Sequence, residues 1–106
     1  MSEIRDLVIP RGSAQSWAVR FRQRVSGVLQ PLDLTGWTIG LADVAPALTG
    51  LLSAEWTDAA QGEAVIHLKA APALPVDQAF TFRLRRVPPS GADAAETSYL
   101  FKVIAR

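Results

Sequence analysis

Apolar and polar residues alternate with period two in short runs separated by turn residues, and few folds accept a chain written that way. In "SWAVRFRQR" the large residues Trp17, Val19 and Phe21 alternate with Ala18, Arg20 and Arg22, so one strand face is apolar and the other carries arginines. A helix would scatter the same residues around its axis. "EAVIHLK" turns Ala64, Ile66 and Leu68 inward and leaves Glu63, Val65, His67 and Lys69 outside. "AFTFRLRR" does the same with Phe80, Phe82 and Leu84. "RDLVIP", "WTIGLAD" and "GLLSAEWT" add three more runs, and "TSYLFKVIAR" is apolar on both faces, which predicts a strand covered on both sides. The expectation is an all-β fold, a single immunoglobulin-like antiparallel sandwich of about seven strands over residues 1–106.

The turns between these runs have identifiable mechanisms. In "QPLDLTGWTIGLAD" Asp33 and Thr35 suit an Asx-type turn and Gly36 supplies a positive φ, after which Trp37 enters a strand pointing inward. A Trp at the start of the third strand is where an immunoglobulin-like sandwich places its central core residue, so Trp37→Ala is expected to unfold the chain or nearly so. "SGVLQP" reads as a turn at Gly27, "TDAAQG" ends on Gly62, and "VPPSGADAAE" is a Pro/Gly-rich connection. "DVAPALTG" and "KAAPALPVD" each have room for one helical turn, which their prolines keep short.

Composition removes several kinds of chemistry. Eleven basic residues against ten acidic ones give a net charge of +1, so no long-range field marks a nucleic-acid or membrane-surface binder. Without cysteine there is neither a disulfide framework nor a thiolate nucleophile, and His67 is the lone histidine, read as exposed. Asp33, Asp43, Asp58, Asp77 and Asp93 fall at strand ends and turns, where they bond their own backbone. No Walker loop, dinucleotide fingerprint, nucleophile elbow or HExxH occurs, so the expectation is a non-enzyme that needs no cofactor and no metal. Neither a secretory leader nor an apolar run of membrane-spanning length is read, which predicts a soluble protein.

Two arginine-bearing faces stand out: Arg20, Arg22 and Arg24 on one run, and Arg83 and Arg85, with Arg86 beside them, on another. The immunoglobulin-like order puts the two runs in opposite sheets, so they form no single basic groove, and no aromatics are interleaved to stack bases. The readings are solvated faces with local ion pairs first, contact with a protein partner second, and nucleic-acid binding last.

The ordered set Arg11-Gly12, Pro31 to Trp37, Asp58 to Gly62, and Leu74-Pro75 resembles small proteins and N-terminal domains from the tail genes of tailed bacteriophages and prophages. The likeness runs over nearly the whole chain. It implies an immunoglobulin-like sandwich of virion structure, similar to the amino-terminal domains of baseplate or tail-fibre adaptor proteins, with no catalytic residues. With the sequence ending at Arg106, no coiled-coil or receptor-binding extension of the adaptor kind is expected.

The expected role is therefore a virion subunit of tail, baseplate or fibre-attachment region, assembled in the bacterial host cytoplasm. It would pack against other virion proteins and copies of itself, with neither small-molecule substrate, nucleic acid nor membrane as partner. Expected contact surfaces are residues 2–9 and 97–105, including Tyr99, Phe101 and Val103, together with Arg20, Arg22, Arg24, Arg83 and Arg85; Asp33, Gly36, Trp37 and Gly62 are expected to be structural. The alternatives are a head-decorating protein, a glycan-binding module using Trp17, Trp56 or Tyr99, and a small host-directed inhibitor.

Overall fold

A computed structural model describes residues 5–90 and 95–106. Part of the "VPPSGADAAE" connection, with Asp93, and residues 2–4 of the expected N-terminal contact lie outside them. The described strands are β1 (Arg5–Ile9), β2 (Gln15–Arg20), β3 (Arg22–Val25), β4 (Val28–Pro31), β5 (Thr38–Ala42), β6 (Leu52–Asp58), β7 (Glu63–Leu68), β8 (Ala79–Val87) and β9 (Thr97–Ala105). One sheet has the order β1-β9-β8-β5 and the facing one β2-β7-β6, while β3 and β4 pair only with each other. This is an all-β sandwich.

Nine strands replace the expected seven because the "SWAVRFRQR" run breaks at Phe21 into β2 and β3, and β3 folds back onto β4. The alternation of Trp17, Val19 and Phe21 holds, but Phe21 lies at the joint between two strands. One pairing also departs from the antiparallel expectation: β1 runs parallel to β9, from Arg5 opposite Phe101 to Ile9 opposite Ala105.

Alternation places the core as predicted. Ala64, Ile66 and Leu68 from β7 face Phe82 and Leu84 from β8 and Phe101 and Val103 from β9, all buried. Phe82 and Phe101 stack with ring centroids 5.3 Å apart at 8°. Leu34, Leu48 and Leu74, from the connections, complete the buried cluster. The 3-10 turn of "DVAPALTG" is present at Pro46–Leu48, whereas "KAAPALPVD" contains none; a second such turn, Ala59–Gln61, precedes Gly62.

The Asp33 turn forms as the sequence predicts. Asp33 Oδ1 accepts from Thr35 N at 3.0 Å and from Thr35 Oγ1 at 2.6 Å, Gly36 has φ of 86°, and Trp37 N donates to Leu34 O at 3.0 Å. Those donors, Thr35 Oγ1 first, hold the Asp33 carboxyl below its ordinary pKa. A depressed carboxylate stabilises the fold above its unfolded pKa of about 3.9, and that contribution is lost as pH falls through the lower folded value. Asp33→Asn is expected to remove this part of the acid dependence, seen as a shallower fall of the thermal midpoint below about pH 4.

Candidate interaction surface

β3 and β4 project from the sandwich as an arm, and Phe21 is its root. Phe21 N donates to Gly62 O at 2.8 Å and Phe21 O accepts from Leu32 N at 3.0 Å, so one residue is bonded to the sandwich on one side and to the returning strand on the other. Leu34 N donates to Ala59 O at 2.8 Å, fastening the chain again as it leaves the arm. The Phe21 ring is buried, edge-on to Trp56 at 5.8 Å and 68° and tilted against Tyr99 at 5.3 Å. Gly62, with φ of 67°, lies directly beneath this joint.

Arg86 completes the root. Its guanidinium lies 4.9 Å from the Trp37 ring centroid, 5.4 Å from Phe21 and 5.9 Å from Tyr99, and its Nε donates to Tyr99 Oη at 3.1 Å. A half-buried cation is thus held by three ring systems, each contact being worth about 0.5–2 kcal/mol. Trp56 Nε1 donates to Trp37 O at 2.9 Å, which ties the start of β5 to β6. Trp37 is accordingly not the central core residue expected: it is half-buried, precedes β5 and caps the Arg86 cluster, while the deepest aromatic is Phe82. Trp37→Ala is therefore expected to cost about 2 kcal/mol and leave a folded chain, measured by urea denaturation.

The arm is exposed from Arg22 to Pro31. Its two-residue turn has Ser26 at φ of 50° and Gly27 at 81°, the paired positive values that match the twist of a tight hairpin. Arg24 Nη1 donates to Gly27 O at 2.9 Å across that turn. Val25 pairs with Val28 on one face at the tip, and Arg24 with Leu29 on the other. Val25, Val28 and Leu29 are 41%, 58% and 54% exposed, three of the four large hydrophobic residues exposed among the described residues. A lone hairpin is marginally stable in water, so this one depends on its root for its shape.

The arginines are divided three ways. Arg20 lies on β2 and faces Glu63 at 3.8 Å; Arg22 and Arg24 ride on the arm; Arg83 and Arg85 lie on β8, in the opposite sheet, as the sequence order implies. Arg83 pairs with Asp43 at 3.4 Å, and Arg85 with Glu96 through Nε at 2.8 Å and Nη2 at 2.9 Å. Only Arg22 and Arg24 of these five lack an ion pair among the described residues. Phe101 and Val103, expected at a contact surface, are 5% and 0% exposed and point into the core. The segment 97–105 is no free edge either, because β9 lies between β1 and β8; its outer face presents half-buried Leu100, Lys102 and Ile104. Tyr99 belongs to the root of the arm.

His67 has a fuller environment than the sequence suggests. Ser16 Oγ lies 2.8 Å from its Nδ1 and Glu55 Oε1 3.1 Å from its Nε2, on the outer face of the three-stranded sheet. With the Nε2–H tautomer, Ser16 donates to Nδ1 and Nε2–H donates to Glu55, the bond order of a hydroxyl–imidazole–carboxylate relay. Ser16 and His67 are direct cross-strand neighbours, so the sheet register alone accounts for their meeting. β7 is paired on both sides, which commits its ladder N–H groups and leaves them unable to stabilise an oxyanion there.

No protein-family model matches the chain, and no curated protein matches it. Among solved structures it is similar to the endo-fucoidan hydrolase MfFcnA4 of glycoside hydrolase family 107, with a TM-score of 0.55 and 18% identity. The likeness covers 99% of this chain but 13% of that enzyme, so what the two share is a sandwich fold of one small part.

Proposed function

We propose that this protein is a structural, non-enzymatic subunit of a tailed-phage or prophage particle, in its tail, baseplate or fibre-attachment region, working by packing in multiple copies. The observation that carries the reading is the rooted arm: a hairpin fixed at its base by Phe21, Gly62 and Arg86 offers exposed apolar and cationic side chains at its far end. Pre-organised elements of this kind contribute to assembly because little ordering entropy remains to be lost on contact. The resemblance of its turn motifs to those of tail-gene proteins supports the same reading, which implies assembly in the bacterial host cytoplasm with other virion proteins as partners. Glycan binding has less support, since Trp17, Trp56 and Tyr99 are half-buried against the core and offer no open stacking platform. Mass spectrometry of purified particles tests the proposal. A fixed stoichiometry matching a three-fold, six-fold or larger symmetry is expected; abundant protein in induced cells but none in particles would overturn it in favour of an assembly factor or host-directed inhibitor.

A further inference from the structure

The arm leaves one end of the three-stranded sheet, and an apolar cleft opens at the other. Arg20, where the arm begins, pairs with Glu63 at the start of β7. At the far end of β7, beyond Leu68, residues Ala70 to Pro75 and the facing Ala47 and Leu51 enclose a cleft of about 310 Å³. β7 alone separates the two features by roughly 17 Å. Every residue lining the cleft is alanine, leucine or proline, and its volume equals roughly ten waters, more than the side chains of Val25 and Val28 require. The cleft therefore opens apolar walls to solvent at one pole, while the arm exposes apolar side chains at the other.

We propose that the arm tip of one copy docks in the cleft of a second copy, so that the chain assembles head to tail. The contact deepens the multi-copy reading above but stands on surfaces of this chain alone. Charge favours it over an arm-to-arm dimer. Arg22 and Arg24 of two arms would repel across a two-fold axis, whereas Asp77, exposed and without an ion pair among the described residues, follows the cleft-lining Pro75 by two residues in the chain. Lys69 directly precedes the cleft-lining Ala70, so the lining segment has a cation before it and an anion after it, and apolar burial supplies the attraction. An interface joining two different patches is heterologous, and it generates a closed ring or an open chain of copies.

Sedimentation analysis of the purified full chain tests this. The average mass is expected to rise with concentration from the 11.4 kDa of one copy past that of a dimer. An arm variant, Val25→Asp with Val28→Asp, and a cleft variant, Ala73→Glu, are each expected to remain at one copy with an unchanged circular dichroism spectrum. All three positions are exposed, so the sandwich tolerates the changes. Mixed, the two variants should form a one-to-one dimer that grows no further, because each retains the half the other lacks. A parent chain that stays monomeric up to about 1 mM, the weak end of specific association, overturns the proposal. So does a parent that stops at a dimer, a cleft variant that still associates, or a mixture that stays monomeric. None of these results bears on whether the protein is found in particles, and the particle measurement does not decide between docking modes.

Discussion

Gly62→Ala is expected to destabilise the chain by about 3–4 kcal/mol, a fall in thermal midpoint of roughly 15–25 °C for a chain of this size. Two costs add. With φ of 67° the position is left-handed, which a side chain occupies at a penalty of about 1–2 kcal/mol. A Cβ there would also lie 2.6 Å from both Phe21 O and Leu32 O, and Phe21 O is the acceptor that holds Leu32 N at the root of the arm. Phe21 O cannot retreat without lengthening the bond from Leu32 N that fixes the hairpin. Gly27 provides the control: its φ is 81°, but nothing lies within 4 Å of a Cβ placed on it. Gly27→Ala is expected to cost about 1 kcal/mol, the conformational share alone. Equal losses for the two substitutions, measured by thermal unfolding, would show that the clash beneath the joint is absent.

Phe21→Ala is expected to cost about 3–5 kcal/mol, in the range for truncating a buried aromatic ring. The ring fills the space between Trp56, Tyr99 and the Arg86 guanidinium, so its loss leaves a cavity and removes one face from a half-buried cation. Phe21→Leu should recover most of the volume but not the cation–ring attraction, and is expected at about half that cost. The arm supplies a second readout. Because the hairpin depends on this root, amide hydrogen exchange in residues 22–31 is expected to accelerate more than exchange in β7 or β8. Uniform acceleration would mean that the arm is held by something other than Phe21.

The sandwich was legible because side-chain period and strand identity are the same fact in β7, β8 and β9. Ala64, Ile66, Leu68, Phe82 and Leu84 each announce their direction by their neighbours. The arm was not, for a specific reason: polar–apolar alternation continues through Phe21 into Arg22 and Arg24, and nothing in the pattern marks where a strand leaves its sheet. The available signal was Ser26-Gly27 set between Val25 and Val28, a two-residue hairpin punctuation that reads as a loop when only one flank is recognised as strand. The apolar character of β9 predicts cover on both faces, but only one is covered: Phe101, Val103 and Ala105 enter the core, while Leu100 and Ile104 lie half-buried on the outer face of a strand whose edges pair with β1 and β8. Trp37 reads as a core residue because it opens an apolar run, whereas in the structure it precedes β5 and its ring, half-buried, lies 4.9 Å from the Arg86 guanidinium. Distant pairs such as Arg86 and Phe21 leave no trace in local pattern.

The parallel pairing of β1 with β9 gives the molecule a mechanical property. The first and last described strands lie side by side in the same direction, from Arg5 beside Phe101 to Ile9 beside Ala105, and Arg106 N continues the ladder by donating to Ile9 O at 2.9 Å. Tension that draws Arg5 and Arg106 apart therefore slides one strand along the other and loads the rungs together. An antiparallel terminal pair would open one rung at a time, like a zipper. Rupture under pulling is set by the unfolding barrier, so a chain wired in this way resists traction along its length more strongly than its equilibrium stability alone would indicate.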